Sequence, residues 1–226
     1  MEDRLNIIFD GLQQKSTVKQ KIYRNTKEAF DTLKKSSNLL VRKLTERITA
    51  VDSSVVIEYR DVNELEFHIK ISGDLLIFVM HSNVITFPED YDIMKTDYVQ
   101  ADFKRRFFGH ILAYNFMADS VKYNRMNDPG YLLGRLLINI ENHFFLEGVE
   151  QLDLKDQDIT RNVLSDEALL LMVESAMIAA VNNDLMAPEL NDIRKISVKQ
   201  KFENQHMSRS QKVGFNFDFT HTAEKD

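Results

Sequence analysis

The chain has 226 residues and a formal charge of −6, with 15 Phe, no Trp and no Cys. A chain of this size buries roughly 70% of the surface its unfolded form exposes, so one large domain, or a core with an appendage, is expected. The missing cysteines exclude disulfides, thiolate nucleophiles, zinc–thiolate sites and iron–sulfur clusters, and the scarcity of Gly (7) and Pro (3) argues against a loop-rich chain.

The acidic start, Met1-Glu2-Asp3-Arg4, is followed by no apolar core of a secretory signal, and no run of about 18 apolar residues could span a bilayer. A soluble, cytoplasmic protein is expected. A long helix is predicted over about 17–49. Thr17 and Gln20 fit a capping box, and Val18, Ile22, Ala29, Phe30, Leu33, Leu40, Val41, Leu44 and Ile48 recur at steps of three and four. Ser36-Ser37-Asn38 interrupts that stripe, so a bent helix and a two-helix hairpin both remain open. At about 45 Å, an unbroken helix would overhang the sheet it covers and could serve dimer contact.

Four strands follow as a meander over about 54–87. Leu65, Phe67, Ile69 and Ile71 alternate with Glu64, Glu66, His68 and Lys70, a period of two. Turns at Asp61–Asn63, Ser72–Asp74 and His81–Asn83 are too short for parallel crossovers, so the sheet is antiparallel. Leu75–Met80 is apolar on both sides, as a central strand would be. A second helix is predicted over about 102–123 from Phe103, Phe107, Ile111, Tyr114, Met117 and Val121, capped by Asp102. Asp128-Pro129-Gly130 then turns into a hairpin over about 131–148 around the loop Glu141-Asn142. Ser165 caps a third helix, about 165–182, whose residues are apolar nearly all round and so buried. These elements form an α+β core, 1–188. The segment 189–226 reads as a β-rich appendage, with strands at about 195–202 and 212–220; the second presents Val213, Phe215, Phe217 and Phe219 on one face.

No phosphate-cradling loop, nucleophile elbow or H-E-x-x-H motif occurs, and no cofactor is expected. The best candidate polar cluster is the hairpin, with Arg135, Asn139, Glu141, His143 and Glu147, where a His and a carboxylate could do acid–base work or bind a metal. The plainer reading is a cross-strand Arg135–Glu147 pair and a solvated His143. Glu58, Glu64, Glu66 and Asp74 invite a metal-nuclease reading, but the alternation with His68 and Lys70 marks the outward face of an amphipathic strand. Tyr114, Asn115, Asp119, Lys122, Tyr123, Asn124 and Arg125 gather where a ligand pocket could lie.

Charge is segregated. Residues 15–47 hold ten Lys/Arg against three acids, while residues 48–188 hold 11 basic and 23 acidic residues. The basic helix, with Lys104-Arg105-Arg106, could track phosphates. The aromatics lie in apolar stripes rather than basic patches, which favours a helix docked on an acidic body over nucleic acid.

In element order alone, residues 17–184 resemble the small acidic chaperones of type III secretion and related sensory-regulator folds. That resemblance implies a dimer that binds extended peptides on a sheet-and-helix surface; it rests on no motif and carries no site residue. The expected function is a non-enzymatic, homodimeric interaction module that presents a sheet edge or groove to another polypeptide. The alternatives are a hydrolase or nuclease built from scattered carboxylates and histidines, and nucleic-acid binding through 15–47.

Overall fold

The computed structural model describes residues 2–148, 158–183, 185–186 and 211–212. Six strands form one antiparallel sheet in sequential order: β1 (Ile57–Asn63), β2 (Glu66–Ile71), β3 (Asp74–Met80), β4 (Gly109–Met117), β5 (Tyr131–Ile138) and β6 (Phe144–Gly148). The helices pack on it as expected for an α+β fold.

The long helix starts far earlier than its apolar stripe. It runs through α1 (Glu2–Gly11), a π turn (Leu12–Ser16) and α2 (Thr17–Thr49). The expected cap at Thr17 is not one. Ser16 already has helical backbone (φ −72°, ψ −39°), and the Thr17 hydroxyl donates to the carbonyl of Gln13 one turn back. Ser36–Asn38 does not break the helix, which settles the two-helix alternative. Ser37 is fully buried on the packed face of the continuous helix. At 33 residues, α2 is about 50 Å long.

The meander is present with one change. Its first three strands form as β1–β3, but the fourth, expected at 84–87, is reduced to a single bridge between Ile85 and Phe108. The true fourth strand is β4, inside the segment predicted as a helix over 102–123. Only Phe103–Arg106, a 3-10 turn capped by Asp102, and α5 (Ala118–Lys122) are helical there. The reason is burial on both faces. Ile111 and Ala113 point to one side while His110 and Leu112 lie buried on the other, so no period of two shows.

The hairpin forms one residue out of the expected register. Ile138 pairs with Phe144 and Arg135 with Glu147, and the Asn139 amide donates to the carbonyl of His143 at 2.9 Å. The loop is thus Ile140-Glu141-Asn142, three residues instead of two. Asn142 takes the left-handed conformation (φ 61°) that closes such loops.

Two cores flank the sheet. On one face α2 and α6 (Asp166–Asn182) bury Phe30, Leu33, Phe67, Ile69, Phe78, Ile111, Met172 and Val173. On the other, the segment after β3, with α3 (Asp92–Lys95) and α4 (Asp97–Ala101), covers β4–β6 through Phe87, Val99, Phe108, Leu137 and Phe145. Ser165 caps α6 as expected, accepting from the Ala168 amide at 3.2 Å. That helix is not buried all round, however. Leu171, Ile178 and Val181 are 45%, 56% and 63% exposed, because α2 and the sheet cover only one side. After α6, β7 (Leu185–Met186) pairs antiparallel with β8 (Gln211–Lys212). The strand expected at 195–202, and Val213, Phe215, Phe217 and Phe219, lie outside the described residues.

Candidate functional site

The hairpin cluster resolves into two staples rather than one site. Arg135 donates to Glu147 from Nε at 2.7 Å and also from Nη2, and the Tyr91 hydroxyl donates to the same carboxylate. Burial, and then Glu147, push the Tyr91 hydroxyl up to about 12, so it stays a donor. The second staple centres on Asn139, which is fully buried. Its Oδ1 accepts from the amides of Glu141 (2.9 Å) and His143 (3.0 Å), and its Nδ2 donates to the Tyr98 hydroxyl at 2.9 Å. Tyr98 in turn donates to Glu141 at 2.6 Å, and Arg105 donates to the same carboxylate at 3.1 Å. The Tyr98 hydrogen bond, more than Arg105, holds the Glu141 carboxyl below its usual range.

His143 stacks on Tyr98 at 5.0 Å and donates from Nδ1 to the carbonyl of Ile159 at 2.7 Å. The hairpin residues therefore fasten α3, α4 and residues 158–163 onto the sheet. This is the work expected of hydrogen bonds that satisfy one another at a buried join. Replacing Asn139 with Ala should strand two loop amides and cost about 2–3 kcal/mol, read as a fall in thermal midpoint of about 4–12 °C.

The meander carboxylates do not converge either. Glu66 pairs with His68 at 2.6 Å, and Asp74 accepts from Asn115 at 2.9 Å. Glu58 faces Lys70 across the β1–β2 ladder. No group of three or more potential metal ligands occurs among the described residues. On the basic helix, Lys27 pairs with Asp31, and Lys34 with Asp61 at 2.7 Å.

Two concave surfaces remain. A basin of about 670 Å³ lies over the outer face of β1–β3, where Glu58, Arg60, His68 and Lys70 meet α5 and Arg125. It collects Asp119, Lys122 and Arg125 from the polar cluster seen in the sequence. Asn115 points instead into the opposite face, beside Asp74.

The second surface is an apolar groove of about 700 Å³ at the open end of the sheet. Leu44 and Ile48 from the last turns of α2, with Val51 in the turn that follows, form one wall. Ile57 and Ile71 from the ends of β1 and β2 form its floor, and Ala180 and Val181 of α6 close it. Val51 is 82% exposed.

The groove abuts the free edge of the sheet. β1 pairs only with β2, so its outer backbone groups have no strand beside them among the described residues. The opposite edge is partly covered, since Phe144 on β6 donates to the carbonyl of Asn162 and His143 bridges Val163. A bulge between Asp61 and Asn63 twists the far end of β1, and at the near end the Ile57 carbonyl already accepts from the Thr45 hydroxyl at 3.2 Å, so an added strand is confined to about Ile57–Asp61.

Sequence reasoning missed the groove because its walls come from four elements, each of which looks like an ordinary amphipathic end. The available signal was the all-round apolar character of α6. No protein-family model, curated protein or solved structure matches this chain. The resemblance to secretion chaperones thus rests on element order alone, and β4 in place of the second helix weakens even that. No helix among the described residues is long and apolar enough to cross a membrane.

Proposed function

We propose that this protein is a cytoplasmic, dimeric polypeptide-binding module without catalytic activity. The observation that carries the reading is the exposed aliphatic groove lying against β1, whose outer side has no strand beside it among the described residues. An extended segment can add its backbone to such an edge while alternate side chains enter the groove, so that main-chain hydrogen bonds supply affinity and the pocket supplies selectivity. A volume of about 700 Å³ suits two or three large apolar side chains. The preferred partner is therefore a strand with apolar residues at every second position. The chain's own Val213–Phe219 run has that pattern.

The test is fluorescence anisotropy with a labelled peptide of alternating Phe and polar residues, against a scramble with its Phe consecutive. The alternating peptide should bind at least tenfold tighter to the full chain. The change Val51→Asp with Val181→Asp, at two exposed positions, should remove that preference without lowering the thermal midpoint. Equal binding of both peptides, or binding indifferent to the two aspartates, would refute the reading.

A further inference from the structure

The helical segment 3–16 stands clear of the described body: its residues are exposed, and the first buried position is Val18. Along this overhang Leu5, Ile8, Phe9 and Leu12 are 64%, 59%, 62% and 54% exposed. Their spacing of three, four and seven places all four on one face, a stripe that no described residue covers. We infer that this stripe is the dimer contact, pairing antiparallel with the same segment of a second copy about a two-fold axis between Ile8 and Phe9. The inference rests on the dimeric part of the proposed function and not on the groove.

Three features point to a second copy. The stripe is centred near the middle of the overhang, so a two-fold sets Leu5 against the partner's Leu12 and Ile8 against the partner's Phe9, an isologous and closed contact. In that register residues 2–5 of one copy lie along residues 12–15 of the other, short of Val18, where the body begins. Charge agrees as well. Asp3 falls one position from the partner's Lys15, and Lys19 extends the basic end that meets the acidic one. A membrane surface fits less well, because Glu2, Asp3 and Asp10 outweigh Arg4 in the stripe's own segment and anionic lipid repels them. Four apolar side chains per copy make an interface at the lower end of the specific range, about 1,200 Å² in total, so a reversible dimer is expected.

The absence of cysteine makes the register directly readable. Light scattering on the full chain over a micromolar concentration series should show a monomer–dimer equilibrium. Leu5→Asp with Phe9→Asp should weaken it at least tenfold, while helical circular dichroism and thermal midpoint hold, since neither side chain touches the body. On mild oxidation Ile8→Cys, close to the two-fold, should cross-link. Leu5→Cys should not, because the two copies of residue 5 lie about 10 Å apart along the axis. Mixing Leu5→Cys with Leu12→Cys should cross-link. A chain that stays monomeric, a dimer insensitive to the aspartates, or cross-linking of Leu5→Cys with itself would overturn the inference. The groove variants should leave the mass unchanged, and the overhang variants should leave peptide binding unchanged, so the two claims fail separately.

Discussion

Replacing Gly109 with Ala should destabilise the protein by about 3 kcal/mol, lowering the thermal midpoint by about 6–12 °C. Gly109 opens β4 where α2 crosses the sheet. A Cβ there would sit 2.0 Å from Thr26 Oγ1 and 2.9 Å from its Cβ. Thr26 is fully buried, and its hydroxyl is held by the carbonyl of Ile22 at 2.8 Å, so it has nowhere to turn. The helix itself must lift, and the packing of Phe30 and Leu33 beneath it loosens. Thr26→Ala in the same chain removes the closest clash and should recover at least about 1 kcal/mol in a double-mutant cycle. Gly73→Ala is the control: nothing lies within 4 Å of its added methyl, and it should change stability by less than about 0.5 kcal/mol. Chemical denaturation of the unaltered chain, the two single variants, the double variant and the Gly73→Ala control decides the matter; equal costs at Gly109 and Gly73 would show that α2 does not rest on the sheet as described.

Acid should destabilise the protein through His110. The residue is 8% exposed, its ring stacks on His81 at 4.6 Å, and Nδ1 has no hydrogen-bond partner among the described residues. Burial, with the nearby positive charges of His81 and Arg135, pushes its pKa down from 6.5 to about 4. The unfolded chain takes up a proton near 6.5, while the folded one resists until about 4. Stability is therefore intact above pH 6.5, falls as pH drops from there towards 4, and levels off below, the total loss through this one group being about 3 kcal/mol. Asp and Glu titrations overlap the lower part of that window, so the measurement is a comparison. His110→Phe should show less loss between pH 7 and pH 4.5 than the unaltered chain, by about 2–3 kcal/mol. Parallel curves would mean that His110 charges freely in the folded protein.

Much of this architecture is legible in the residues. The alternation from Leu65 to Ile71, the turn at Ser72-Gly73-Asp74 and the Ser165 cap each announce an element by local chemistry, and each stands where expected. The failures share a physical cause. Gly109–Met117 carries no alternation because helix and loop segments bury both of its faces, and Phe107, Ile111, Tyr114 and Met117 then fall by chance at helical spacing. Thr17 looks like a cap because its local sequence permits one, but the helix before it leaves no free amide to cap. The polar hairpin residues look catalytic for the reason that they are structural: a buried join between segments distant in sequence needs the same Arg, Glu, Tyr, Asn and His that a reaction would. The groove exists only when Leu44, Val51, Ile71 and Val181 are brought together, a long-range event that no window of sequence displays.

The most direct measurement is hydrogen–deuterium exchange of the full chain with and without the alternating-Phe peptide. Strand addition beside the groove should slow exchange of amides within Ile57–Asp61 at least tenfold and leave β6 unchanged. Binding that leaves β1 exchange unaltered would contradict the claim that the free sheet edge receives the partner.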